Sequence, residues 1–375
     1  MRLSVGGGLE WHEKLIGIRP ITRDLVDEGP PKEGKVMFSF APETCHRHLL
    51  ESSPRGLAFD PARDYAVWRG EVGEKLRGLL GITPERVPLD LRIEQPEEHD
   101  AWREIRFVFQ AETGADVPCH LLLPRGVEPP FPVMICLQGH ASGMHVSLGR
   151  AKYPGDSEDI AGGRDIAVQA VRQGYAALAI EQRCFGERRD RRSGVQATFR
   201  RACQHATMTA LLLGRTMIGE RAWDVSRAID ALGEFSEIDV GRIACAGNSG
   251  GGMITYFAAC LDDRIGVAMP SCYVCSWKDS LVAIDHCECN YVPGFLRYFE
   301  LGDLACLIAP RPLIVVAGRD DRIFPLRGVE DAFSTMGDIY KAAGAADRCR
   351  LVVGEGGHRF YPDLAWPVFC ELSGW

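Results

Sequence analysis

The chain has 375 residues, a net charge of -8 at neutral pH, 46% hydrophobic and 25% charged residues. That balance suits a globular protein with a sizeable core and excludes a disordered, collagenous or coiled-coil chain. The acidic excess disfavours nucleic acid as a partner, because affinity for a phosphate backbone comes from Lys and Arg. No apolar run approaches the roughly 20 residues that span a bilayer. Met1 to Gly8 also lacks the apolar stretch of a signal peptide, so the expectation is a cytoplasmic protein without membrane association.

The first sixty residues are irregular and rich in Gly, Pro and charge. Asp60-Pro61 offers an N-cap and a first-turn proline. Tyr65, Trp68, Val72, Leu76 and Leu79 then recur at helical spacing until Gly81 stops the helix. Residues 1–88 are therefore expected to form an irregular and helical extension packed on a main domain of residues 89–375. Leu89–Ile93, Ile105–Phe109 and Cys119–Leu123, separated by turn residues, read as antiparallel strands.

Beyond them, short apolar runs alternate with helix-length segments. The runs are Pro132–Leu137, Tyr175–Ile180, Arg242–Ala246, Ile265–Met269, Leu313–Ala317 and Arg350–Val353. Such runs suit parallel strands buried on both faces, joined by right-handed crossover helices. One helix is marked by Ala222, Val225, Ile229 and Leu232. The expected fold class is α/β: a mostly parallel sheet flanked by helices, with antiparallel strands at its N-terminal edge. Residues 183–205 and 273–300 are candidate cap or pocket insertions. Fourteen cysteines are present, and those in apolar runs, such as Cys136 and Cys245, read as small core hydrophobes rather than a disulfide framework.

Gly247-Asn248-Ser249-Gly250-Gly251 lies between the strand Ile243–Ala246 and a helical segment from Met253. A strand that turns abruptly into a helix forces its central residue into strained backbone and leaves no room for Cβ atoms beside it. Ser249 would stand at the helix N-terminus, where the dipole favours developing negative charge. A nucleophilic serine needs a base, and the base an orienting carboxylate. The strand Leu313–Ala317 delivers Asp320 and Asp321 into the next loop, where either could serve. Leu351–Val353 empties into a Gly-rich loop that carries His358. The order Ser249, Asp321, His358 is that of α/β-hydrolases. An oxyanion hole would take one N–H from Gly250 and another from His140 in Gln138-Gly139-His140, the loop after Val133–Leu137.

On these residues the chain resembles the dienelactone-hydrolase-like group of α/β-hydrolases, and within it bacterial proteins described as acetyl xylan esterases. The resemblance runs from about residue 90 to the end. It also rests on Gln182-Arg183-Cys184-Phe185-Gly186-Glu187, Gly214-Arg215-Thr216 with Arg221-Ala222-Trp223-Asp224, Ala309-Pro310-Arg311-Pro312, and Gly318 to Pro325. The group's G-x-x-D pattern with a Pro four residues later selects Asp321 and leaves Asp320 as runner-up. Two departures stand out. Dienelactone hydrolases carry Cys where this chain has Ser249, which implies ester chemistry, and Gln138 stands where many relatives carry His.

The expected function is a serine carboxylesterase that acts on small acyl esters, acetylated carbohydrates among them. The alternatives are a lactonase or peptidase using the same machinery, or a hydrolase fold that only binds. Gln138, Arg183, Tyr273 and Tyr291 are expected at the substrate, with Arg188 as a second anion-binding candidate; the other reading of the arginine cluster is a solvated or subunit-facing loop with internal ion pairs. Trp223 and Asp224 read as helix packing and a surface or capping acid. His286-Cys287-Glu288-Cys289 contains zinc-type donors but lacks C-x-x-C spacing and a second ligand pair, so it reads as a packed loop ahead of Tyr291. No metal and no cofactor are expected. The partners are a small-molecule ester and, as a candidate, a second copy of the chain.

Overall fold

A computed structural model describes residues 40–82, 84–140, 142–190 and 199–375. The chain divides into two compact units, Met1–Ser53 and Pro54–Trp375. In the first, the described part contains helix α1 (Pro42–Glu51), which has no buried residue. The rest of the irregular leader, residues 1–39, lies outside the described residues.

The second unit opens with α2 (Tyr65–Leu80), which starts later than Asp60-Pro61 suggests. The Asp60 carboxylate accepts the N–H of Ala62 two residues on and closes a local turn. Asp64 caps the helix instead, accepting from Val67 N–H at 2.9 Å. Gly81, at φ 66°, ends it as expected. The apolar stripe Trp68, Val72, Leu76 and Leu80 is buried in the main core. The helix thus packs on the main core, inside the compact unit that starts at Pro54.

One ten-stranded sheet organises this unit. Its strands are β1 (Arg92–Ile93), β2 (Glu97–Glu98), β3 (Trp102–Glu112), β4 (Ala115–Pro124), β5 (Phe131–Leu137), β6 (Ala176–Ile180), β7 (Ile238–Asn248), β8 (Ile265–Ser271), β9 (Leu313–Gly318) and β10 (Cys349–Gly354). They lie in the order β1-β3-β4-β6-β5-β7-β8-β9-β10, with β2 beside β3. β3 and β4 form an antiparallel hairpin, and from β6 to β10 every neighbouring pair is parallel. The helices are α3 (Asp156–Asp159), α4 (Ile166–Arg172), α5 (Phe199–Leu212), α6 (Met217–Leu232), α7 (Gly250–Leu261), α8 (Leu326–Ala342) and α9 (Pro362–Ser373).

Successive strand residues point to opposite faces, so the sheet separates two cores. Val133, Ile135 and Leu137 join side chains of α2, α6, α7 and α8 on one face. Met134 and Cys136 join those of α4 and α9 on the other. β5 has β6 on one side and β7 on the other, which makes it the point where the winding of the sheet reverses. Ligands of open α/β sheets bind outside the carboxyl ends of the strands at such a point. Leu137 and Gly247 are in register there, so the loops after β5 and β7 emerge side by side.

Candidate active site

Ser249 sits between β7 and α7 at φ 56° and ψ -119°, a conformation that is strained for a residue with a side chain. Its N–H donates to the Ser271 carbonyl at 2.8 Å, and its own carbonyl accepts from Met253 in the first turn of α7. Below it, Ser271 Oγ donates to Asn248 Oδ1 at 3.0 Å. The glycines are dictated by crowding. A Cβ on Gly251 would lie 2.0 Å from the Leu137 carbonyl oxygen, and one on Gly139 would lie 2.9 Å from that of Asn248. The loop after β5 thus rests against the strained turn.

At the ends of β9 and β10 the second part assembles. Asp321 Oδ2 and His358 Nδ1 are 2.8 Å apart. Asp321 Oδ1 accepts the N–H groups of Ile323 (2.8 Å) and Phe324 (3.2 Å), so both oxygens are held. Burial works against the charge of Asp321, but the bond and charge of His358 together with these two N–H groups hold its carboxyl below the usual range. Asp320, the runner-up, is exposed while Asp321 is buried, so geometry selects between them. Phe324 stacks on the His358 ring at 5.8 Å. Ser249 Oγ and His358 Nε2 make no hydrogen bond to each other among the described residues.

His140 and Gly250 are brought together. A Cβ on Gly250 would lie 2.7 Å from His140 Nδ1 and 3.4 Å from its backbone nitrogen. The loop that carries His140 hangs on Glu181, the residue after β6. Glu181 Oε1 accepts from Gln138 Nε2 at 2.8 Å and Met144 N–H at 3.1 Å, and Oε2 accepts from Glu187 N–H. Burial pushes the Glu181 carboxyl up to about 7, against the pull of the Glu187 and Met144 N–H groups. A folded value raised above the unfolded one favours folding below about pH 4.5, and that advantage disappears as pH rises through about 7. Glu181→Gln should therefore flatten the fall of Tm between pH 5 and 8, by an amount worth up to about 3 kcal/mol. Thermal melts of both proteins across that range check this, and parallel curves would count against it. A carboxylate directly after a fully apolar strand was the available sequence signal for Glu181, and it was missed.

Two of the expected substrate contacts are corrected. The Gln138 side chain is buried and turned onto Glu181, so it braces the loop instead of facing a ligand. Arg183 is saturated: it forms a two-pronged pair with Asp224 (2.9 Å on each oxygen) and bonds to Glu220 at 3.0 Å and Glu112 at 2.6 Å. Arg188 is likewise spent on Asp224, at 2.6 Å. Asp224, read as a surface or capping acid, is buried at the hub of these pairs, and Trp223 donates to the Ala111 carbonyl. Breaking a buried pair strands its partner's charge. Arg183→Met should thus lower unfolding stability by about 3–5 kcal/mol in urea titrations; a loss under about 1 kcal/mol would remove the network from the account. Residues 191–198 of the candidate insertion lie outside the described residues.

Tyr273 is buried against Phe324, and its hydroxyl has no hydrogen-bond partner among the described residues. Tyr291 is exposed and donates to the Leu281 carbonyl at 3.2 Å. In the segment 286–289, His286 pairs with Ser280 Oγ at 3.0 Å. Cys287 and Cys289 instead meet His140 and Cys203, all four donor atoms lying within 4.8 Å of one another. A surface cavity of about 860 Å³ lined by Arg55, Glu300, Asp303 and Arg327 includes none of Ser249, Asp321 and His358.

Among proteins of known description, the chain is 29% identical over 299 residues to a Bacillus subtilis (strain 168) protein named "Putative hydrolase YtaP", covering 77% of this chain and 94% of that protein. Among solved structures it superposes on a "putative acetyl xylan esterase" of Bacteroides fragilis NCTC 9343 with a TM-score of 0.72 and 15% identity, over 90% of this chain and 86% of that one. A glucuronoyl esterase from Solibacter usitatus gives a TM-score of 0.65 at 15% identity, over 85% and 96%. An acetyl xylan esterase from Paenibacillus sp. R4 gives 0.55 at 18%, over 88% and 99%. At these identities the structural likeness speaks for the fold. Residues 45–341 match the Abhydrolase family, and with that match spanning most of a sheet wound in this order, the chain belongs to the Abhydrolase family of α/β-hydrolases.

Proposed function

We propose that this protein is a serine ester hydrolase that cleaves small acyl esters through an acyl-enzyme, with Ser249 as nucleophile, His358 as base and Asp321 as its orienting acid. The observation that carries this reading is the 2.8 Å bond between Asp321 and His358, on the same sheet edge as the strained Ser249. Held by Asp321, His358 keeps its proton on Nδ1 and offers Nε2 as the acceptor. Rotation of the Ser249 side chain about χ1 completes the relay once an ester is bound, since such bonds commonly close only in the substrate complex.

The mechanism follows. Ser249 Oγ attacks the ester carbonyl carbon as its proton passes to His358 Nε2. The backbone N–H groups of Gly250 and His140 receive the oxyanion. The His358 proton then goes to the departing alcohol oxygen as the C–O bond breaks. Water, deprotonated by His358, releases the carboxylic acid and restores Ser249. Acyl esters of carbohydrates are the favoured substrate class, a reading supported by the acetyl xylan and glucuronoyl esterases among the structural neighbours. A fluorophosphonate probe tests the chemistry: the wild-type chain should be labelled on the peptide that holds Ser249. An unlabelled protein would return it to the class of hydrolase-fold binders. Turnover of acetylated xylo-oligosaccharides ahead of feruloyl esters and lactones tests the class.

A further inference from the structure

The cluster beside the site is the least expected feature of the fold. Nε2 of His140 and Sγ of Cys203, Cys287 and Cys289 come from three separate segments, yet all lie within 4.8 Å of one another. His140 Nε2 is 3.0 Å from Cys289 Sγ. One imidazole and three thiolates form a recognised structural zinc set. In a tetrahedron with bonds of about 2.3 Å to sulfur and about 2.0 Å to nitrogen, neighbouring donors stand about 3.4–3.8 Å apart. The four atoms are thus within about an ångström of a closed shell.

A second observation points the same way. The Arg221 guanidinium is buried, at 1% exposure, and no carboxylate pairs with it among the described residues. It donates instead to the sulfurs of Cys289 (3.4 Å) and Cys203 (3.3 Å), to the Arg183 carbonyl at 2.7 Å, and it lies over the Phe185 ring. A buried cation requires an opposite charge. Three neutral thiols provide none. Three thiolates, one neutral imidazole and a divalent zinc carry a net charge of minus one, which Arg221 neutralises.

The geometry points to a structural zinc site of the Cys3His type, formed by His140, Cys203, Cys287 and Cys289 with Arg221 as its buried counter-ion. Four protein donors close the coordination shell, so the metal has no open position for substrate and acts as a clamp. It ties the loop after β5 to α5 and to the turn at 287–289. Resting on the proposed function, that clamp keeps the His140 N–H beside Gly250.

The test is metal content, which does not depend on esterase activity. The full-length reduced protein, expressed with zinc supplied, should hold about one zinc per chain by plasma mass spectrometry, and Cys289→Ser and Cys203→Ser should each lose most of it. If those variants are insoluble, the wild type loaded with cobalt should show intense visible bands of a tetrahedral thiolate site. Wild-type protein without stoichiometric zinc and without those cobalt bands overturns the site. So does zinc retained in both variants. A zinc-depleted Cys203→Ser with full kcat would overturn the clamp alone. A lowered kcat with KM little changed, in a protein that still takes the fluorophosphonate label, supports it.

Discussion

Replacing Ser249 by alanine should lower kcat/KM for p-nitrophenyl acetate by roughly 10⁴- to 10⁶-fold, the range found when a triad nucleophile is removed. The Tm should stay within about 2 °C. The side chain is half-buried and makes no hydrogen bond among the described residues, so its loss leaves no cavity in the core and no stranded partner. The backbone at φ 56° is retained by alanine and is fixed by the Ser271 and Met253 bonds. Steady-state kinetics on the purified variant, with a melt beside it, decide the point. Turnover retained within tenfold would mean that another group attacks the ester, and the nucleophile assignment would fall.

Asp321→Asn should cost roughly 10⁴-fold in kcat, whereas Asp320→Asn should change it by less than about twofold. The carboxylate of Asp321 accepts from His358 Nδ1 at 2.8 Å. An asparagine amide can present its N–H₂ there, which moves the imidazole proton to Nε2 and removes the base. Asp320 is exposed, and its backbone N–H donates to the Gly356 carbonyl. Stability should follow with a definite sign. Because the folded-state value of Asp321 lies below the ordinary 3.8, its contribution is present above that pH and lost as pH falls through the folded value. The Tm gap between wild type and Asp321→Asn should accordingly be constant above about pH 5 and close in stronger acid. Equal losses in the two variants would erase the distinction between the acids.

Much of this arrangement was readable in the order of residues because it is local. Each buried strand appeared as a short apolar run, since a strand covered on both faces has no polar side to show. Gly247 and Gly251 bracket Ser249 because the turn leaves no space for side chains, a constraint that acts within a few residues. Gly318 and Gly354 end β9 and β10 in register, so the loops carrying Asp321 and His358 were bound to emerge together once the two runs paired.

What was misread was long-range. Arg183 could have met either a substrate anion or internal ion pairs, and only folding brings Glu112, Glu220 and Asp224 around it. Gln138 looked open to a ligand until β6 placed Glu181 behind it. Cys203 and His140, the donors missing beside Cys287 and Cys289, come from distant segments, and no spacing rule reaches that far.

The amino-acid order by itself determined the strand and helix periods, the strained serine turn and the succession of serine, acid and histidine, because each is set by φ/ψ preference, steric room and burial pattern within one segment. Only the tertiary structure decided which cations are consumed by carboxylates and which thiols gather around His140. Those outcomes depend on crossovers that bring separate segments together, where short-range electrostatics and hydrogen bonding act between residues with no proximity along the chain.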